Sequence, residues 1–242
     1  MKNKCNSAIL LVAISFIVSC QGQIAYKGNE QSNDVEDFVE NPTTYVDPFL
    51  GTAPLTDTTL IGYTPPKDWR VWAGLVFPGS SLPNAMVQLS PITEYHTGAG
   101  YEYEDNEILG FTHTNKGHWN LCNIPILPVS GTKTYPYKSK FSHDKESASP
   151  AYYQVYLEDF KVDVRLSSTL RCGIHEYTFE NNDDRKILFD LSKSNNHVTN
   201  WEIKKVGSHE LEGVQNMGRD KVYFYVVLDQ EIEQLHVEEN GS

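Results

Sequence analysis

Apolar and polar positions divide the chain into stretches with different periods. The first is an apolar run over residues 8–18, preceded by Lys2 and Lys4 and closed by Ile17-Val18-Ser19-Cys20. A helix rises about 1.5 Å per residue and a bilayer core is about 30 Å thick, so this run is short for a membrane span. The basic start followed by a short apolar core predicts an export signal over residues 1–19. Residues 21–41 are polar and acidic, with Gly28, Asn29, Glu30, Gln31, Ser32, Asn33, Asp34 and Glu36. Such a segment buries too little apolar surface to order itself, and it reads as a spacer over residues 20–44. The folded part is expected to begin near Tyr45-Val46-Asp47-Pro48-Phe49.

From there to about Pro150, short apolar runs alternate with Pro65-Pro66, Pro78-Gly79, Leu82-Pro83-Asn84 and Gly98-Ala99-Gly100. Strands are predicted between these breaks at 85–89, 101–103, 108–112 and 124–129. From Ala151 the period lengthens. The segment 152–157 is rich in aromatic and branched residues suited to a pleated surface, and 162–166 alternates apolar and polar as a half-buried strand does. Further strands are predicted at 175–180, 186–191, 201–206 and 222–228, with Asn181-Asn182-Asp183-Asp184 as a polar turn. Residues 231–242 begin like another strand and stop, as though the fold continued. No amphipathic helix stands out. Many strands with turn signals every eight to twelve residues predict an all-β antiparallel sandwich over residues 45–242.

Charge narrows the partners. Loss of residues 1–19 would leave 18 basic against 32 acidic residues, a balance of −14. That surface repels phosphates and anionic lipid, so neither a nucleic acid nor a bare membrane is the expected partner. Small Ser19 directly before Cys20 resembles the end of a bacterial lipoprotein signal, in which the cysteine becomes the lipid-bearing N-terminus. Two or more acyl chains anchor durably, so the resemblance implies an exported protein held to a membrane only through Cys20, periplasmic or at the cell surface. Cys5 lies within the signal, leaving Cys122 and Cys172, which fit either one disulfide or two buried thiols.

Chemistry-bearing residues concentrate between two predicted strands, in His113-Thr114-Asn115-Lys116-Gly117-His118-Trp119-Asn120. An indole face stacks on the C–H face of a pyranose, and imidazoles and amides match hydroxyls that both donate and accept. Composition alone favours packing and loop-backbone roles for the same residues. A second cluster, Glu102, Glu104, Asp105 and Glu107 near His96, has the oxygen donors calcium prefers. It lacks the spacing of a calcium loop and reads as a solvated strand edge. His175 and Glu176 fall on a strand and read as structural. There is no phosphate loop and no nucleophile elbow.

Five segments in order resemble glycoside hydrolase family 92, the calcium-dependent exo-acting α-mannosidases: Asp47-Pro48-Phe49-Leu50-Gly51-Thr52, Phe77-Pro78-Gly79, Met86-Val87-Gln88-Leu89-Ser90-Pro91, Gly110-Phe111-Thr112-His113-Thr114 and Ile126-Leu127-Pro128-Val129-Ser130-Gly131. The resemblance implies a β-sandwich N-terminal domain that packs on a helical toroid, with the active site between them. It implies hydrolysis of terminal α-mannosides with inversion, which needs one carboxyl to protonate the leaving oxygen and another to activate water. The family's acid, base and most calcium ligands belong to the second domain. Calcium is therefore implied for a complete enzyme, with no ligands expected here, and catalytic residues are expected from a helical domain, encoded separately if not on this chain. Within this chain the resemblance makes His113, His118, Trp119 and Asn120 the substrate-binding set for mannose-containing glycans. The segment 115–120 departs from the Gly-rich form common in the family and bears on linkage preference. The alternative is a stand-alone carbohydrate-binding lipoprotein.

Overall fold

The computed structural model describes residues 39–67, 70–71, 74–116, 121–131, 136–181 and 184–238. The chain divides into two units, Met1–Glu40 and Asn41–Ser242, and the fold below is that of the second. In chain order the strands are β1 (Ser80–Ser81), β2 (Gln88–Ile92), β3 (Glu107–Ile108), β4 (Gly110–Thr112), β5 (Ile126–Val129), β6 (Ser139–Lys140), β7 (Glu146–Ser149), β8 (Tyr152–Leu157), β9 (Val162–Ser168), β10 (Gly173–Phe179), β11 (Lys186–Phe189), β12 (Asn200–Lys205), β13 (Glu210–Met217) and β14 (Asp220–Val227). Among the described residues the only α-helix is Thr58–Ile61, capped by the Asp57 side chain, and two 3₁₀ turns sit at Pro42–Tyr45 and His143–Lys145. None of these is long and apolar enough to cross a membrane.

The alternation seen in the sequence decides the packing. In β8, Tyr153, Val155 and Leu157 are buried, and in β9 Val162, Val164 and Leu166 are, while Asp163 and Arg165 face outward. These strands pair in register from Leu157↔Val162 to Tyr152↔Ser167, and the sheet runs β10-β9-β8-β7. A five-stranded sheet, β1-β2-β4-β5-β11, contributes Leu89, Phe111, Leu127 and Val129 to the same core. Each fully buried aliphatic or aromatic side chain of this kind stabilises by about 1.5–3 kcal/mol. The result is the antiparallel sandwich, all-β as the strand pattern predicts.

A third layer was not legible. The sheet β12-β13-β14 places Trp201, Ile203, Val222 and Phe224 against Ile126, Ile187 and Phe189. Strands β5 and β11 thus bury both faces: Leu127, Val129 and Leu188 point into the sandwich core, and Ile126, Ile187 and Phe189 point the other way. That is why both read as unbroken apolar runs rather than alternating ones.

Several expectations shift. The strand placed at 85–89 lies at Gln88–Ile92, because Ala85 closes a turn onto Leu82 (3.1 Å). Residues 101–103 form no strand: Tyr101 and Tyr103 pack on Phe49, and the Glu102 amide donates to Thr93 Oγ1 (3.0 Å). Residues 231–238 form no strand, and only Ile232 is buried there. Cys122 is buried and Cys172 exposed, and no disulfide joins them, so neither the disulfide nor the pair of buried thiols describes them. The Phe77-Pro78-Gly79 motif has a steric reason: a Cβ on Gly79 would lie 1.7 Å from the Leu89 carbonyl oxygen, so only glycine lets β1 approach β2.

Candidate functional site

The β4–β5 connection is fastened at both ends. The His113 amide donates to the Asn123 carbonyl (3.0 Å), extending the ladder past β4, and the Gln88 amide donates to the His113 carbonyl (3.1 Å). Thr114 Oγ1 donates to Asn123 Oδ1 (2.8 Å) and accepts from the Asn123 amide (3.1 Å). Asn115, 2% exposed, donates from Nδ2 to Ser90 Oγ (3.1 Å) and to the Ala99 carbonyl (3.0 Å). Asparagine and threonine suit these places because their short side chains replace backbone partners where a strand ends.

The far end is held by Gln215, fully buried on the inner face of β13. Its Oε1 accepts from Asn123 Nδ2 and from the Ile124 amide (3.1 Å each), and its Nε2 donates to the carbonyls of Leu191 (2.9 Å) and Lys193 (2.8 Å). Every hydrogen-bonding position of the amide is used, tying three segments together. Between these anchors the backbone is strained: Cys122 (φ 53°) and Ile124 (φ 52°) occupy the left-handed region. A β-branched residue there is uncommon and persists only where its surroundings over-determine it.

His113 is half-buried, and both its ring nitrogens are engaged. Nδ1 meets the Ile124 carbonyl (2.8 Å) and Nε2 meets Nε2 of His175 (3.1 Å), with the rings stacked at 5.0 Å. His175 Nδ1 in turn meets Tyr177 Oη (2.8 Å). Burial pushes His113 from 6.5 down to about 4. Burial first, and the neighbouring His113 second, push His175 well below the ordinary histidine value. Both imidazoles are therefore neutral at physiological pH. His113 can offer a ring nitrogen to a ligand only after leaving His175 or Ile124. Sequence reading gave His175 a structural place on a strand without its partners, and it did not single out Tyr177 or Gln215; a signal existed for His175 and Tyr177. That signal was two polar rings at i and i+2, which lie on one face of a strand.

Beside this loop root lies a cavity of about 450 Å³, walled by Phe77, Ser81, Asn84, Gln88, Asn115 and Lys116 together with Val76, Leu82 and Ala85. The two motif-bearing stretches of the sequence thus share one wall. Its polar groups are amides, a hydroxyl and an ammonium, and none of these lining residues is a carboxylate. His118, Trp119 and Asn120 lie outside the described residues, as does Cys20.

The acidic cluster is not one solvated edge. Glu102 is fully buried, Asp105 holds Arg70 (2.8 Å) and Glu107 holds Lys138 (2.7 Å). Among the described residues no three His, Cys, Asp or Glu side chains converge to hold a metal ion. The calcium implied by the family resemblance therefore finds no fitting donor set among them. A second network ties another loop to a sheet. Glu146, its side chain 1% exposed, accepts from Tyr101 (3.0 Å) and Tyr153 (2.6 Å) and pairs with His143 Nδ1 (2.6 Å).

Comparison with known proteins places this geometry. A family GH92 alpha-mannosidase from Bacteroides thetaiotaomicron, solved in complex with mannoimidazole, is 27% identical and superposes with a TM-score of 0.61 over 72% of this chain and 23% of its own. A second structure of the same enzyme gives a TM-score of 0.62 at 27% identity, over 73% of this chain and 24% of its own. A family GH92 inverting mannosidase from Bacteroides thetaiotaomicron VPI-5482 is 23% identical, with a TM-score of 0.57 over 71% of this chain and 22% of its own, and shows the fold alone. This chain spans about a quarter of these relatives' length. No curated protein matches it. Residues 45–242 match the Glycosyl hydrolase family 92 N-terminal domain, and the chain belongs to that family.

Proposed function

We propose that this chain supplies the sugar-facing wall of an exported α-mannosidase that hydrolyses terminal α-mannosides, and that alone it binds but does not cleave them. The observation that carries the reading is the 450 Å³ cavity, whose lining offers amides, a hydroxyl and an aromatic ring but no carboxylate. Such a surface can match sugar hydroxyls. Inverting hydrolysis needs two carboxyls about 6.5–9.5 Å apart, and that pair is assigned to the helical domain implied by the resemblance. Trp119 is the proposed stacking platform, and His118 and Asn120 are the proposed hydroxyl partners. His113 contributes by holding the loop root.

Exposed apolar side chains support a covering domain. Tyr45, Leu50 and Leu60 near the start, and Met86 with Leu170 beside the cavity, are more than half exposed. A stand-alone glycan-binding module would leave this surface to water, which favours the first reading over the second. Residues 1–19 are proposed to direct export and Cys20 to carry lipid, giving a periplasmic or cell-surface protein.

The test of the sugar wall uses the chain joined to a family 92 catalytic domain. Trp119→Ala is expected to lower kcat/KM on an α-mannoside by about a hundredfold, the scale of a lost stacking contact of roughly 1–3 kcal/mol. Unchanged kinetics would remove Trp119 from the site. For the anchor, Cys20→Ser is expected to release the protein from the membrane fraction, and retention there would refute lipid attachment.

A further inference from the structure

The hydrogen bonds around His113 have one direction. The Ile124 carbonyl can only accept, so the proton on His113 is on Nδ1. His113 Nε2 is then an acceptor, and the Nε2 of His175 facing it at 3.1 Å must be the donor. That leaves His175 Nδ1 as an acceptor, filled by the Tyr177 hydroxyl at 2.8 Å. With both rings neutral, only this assignment satisfies all three contacts. The order is Tyr177 O–H to His175, His175 N–H to His113, and His113 N–H to the Ile124 carbonyl.

The chain of bonds crosses between the two sheets of the sandwich. Tyr177 and His175 stand on β10, at the edge of the four-stranded sheet, and His113 follows β4 of the five-stranded sheet. Both sides of the strained Ile124 residue are gripped: Gln215 takes its amide and His113 takes its carbonyl. The His113 backbone passes the constraint to the cavity, because its carbonyl accepts from the Gln88 amide (3.1 Å) and Gln88 Oε1 accepts from the Asn115 amide (3.4 Å). Gln88 and Asn115 are cavity-lining residues.

We infer that His175 and Tyr177 are positioning residues for the sugar-facing wall, selecting the His113 tautomer that fixes Ile124 and, through the His113 backbone, Gln88 and Asn115. The inference rests on the proposed role of the cavity, but its geometry can be tested without a ligand. Nothing in it requires His175 or Tyr177 to touch sugar. Loss of the Tyr177 hydroxyl frees His175 to carry its proton on Nδ1. Two lone pairs would then face each other across the His113–His175 contact, and the link would open.

The experiment is long-range ¹H–¹⁵N NMR of the histidine rings, with amide hydrogen exchange, on the full chain at neutral pH. In the unmodified protein His113 is expected as the Nδ1–H form and His175 as the Nε2–H form. His175→Leu is expected to raise Gln88 amide exchange about tenfold, the scale of one lost buried hydrogen bond, while the Val164 amide in β9 stays protected. His175→Gln, which keeps an N–H donor near the same place, restores slow exchange at Gln88. Tyr177→Phe, nearly unchanged in volume, moves the His175 proton and loosens Gln88. An Nε2–H form of His113 in the unmodified protein overturns the inference, as does unchanged Gln88 exchange in His175→Leu. Absence of binding by a probe α-mannobiose, with these NMR results intact, would overturn the cavity's proposed function and leave the positioning intact.

Discussion

Two imidazole networks join loops to sheets in this molecule, and they solve the same problem with different partners: one is built on a backbone carbonyl, a second imidazole and a phenol, the other on a buried acidic side chain. At the β4–β5 root, two neutral rings and a phenol pass hydrogen bonds in one direction to a carbonyl, with no formal charge. At the other network, His143 contacts two groups that accept: the Glu146 carboxylate through Nδ1 (2.6 Å) and the Tyr103 carbonyl through Nε2 (2.7 Å). Its ring lies flat on Tyr103 at 4.0 Å with a 3° interplanar angle. The two differ in what lies at their centre: the network around the buried Glu146 side chain anchors the framework, and the one built of two imidazoles, a phenol and a backbone carbonyl borders the cavity.

The comparison breaks most sharply at the amide that supports the uncharged side. Gln215→Leu fills the same space but strands the Ile124 amide, the Asn123 side chain and the Leu191 and Lys193 carbonyls. At about 1–3 kcal/mol for each buried group left unpaired, partly relieved by water, it is expected to cost about 4 kcal/mol in urea unfolding. On the charged side, Glu146→Leu leaves two buried phenols without their acceptor and is expected to cost about 3 kcal/mol by the same measurement. A loss below about 1 kcal/mol in either variant would show that its network carries little of the fold's stability.

The pH dependence sharpens the contrast. His113 titrates at 6.5 when unfolded and at about 4 when folded, so between those values the unfolded chain binds more protons. Its contribution is complete above about 6.5 and is lost as pH falls toward 4, by at most about 3 kcal/mol. Urea midpoints between pH 7 and 4 are expected to fall less steeply in His113→Phe than in the unmodified chain. Equal slopes would show that His113 binds its proton no differently in the folded and unfolded chain. The smallest effect separates the two thiols. Burial pushes the Cys122 thiol up, keeping it protonated and inert, so Cys122→Ser is expected to cost about 1 kcal/mol. Exposed Cys172→Ser should change stability by less than about 0.5 kcal/mol, and a thiol reagent should modify Cys172 first.

Much of the sandwich was readable because its strands alternate: 152–157 coincides with β8, and 162–166 lies within β9. Strand β13 was not, because its inward positions are Leu211, Gly213 and Gln215 rather than an apolar series. Phe224 fills the space above Gly213, where a Cβ would lie 2.3 Å from the ring. The two-faced burial of β5 and β11 was likewise hidden, since an apolar run does not say what covers each side. In the site, His113 was visible from its motif, but its partner stands 62 positions away on another sheet. No spacing rule links them, because the contact exists only once the two sheets have packed. Gln215 was invisible for the same reason, 92 positions from the asparagine it holds.

Recognition of an α-mannoside by this chain, without the carboxylate pair needed to cleave it, is the proposal on which the sugar-facing wall depends. Time-resolved ¹H NMR of an α-linked mannobiose with the purified 242-residue chain and Ca²⁺ reports both events in one sample. Broadening and saturation transfer at the sugar protons are expected, with no growth of free mannose signals. Steady release of mannose by this chain would refute the proposed division between binding wall and catalytic domain.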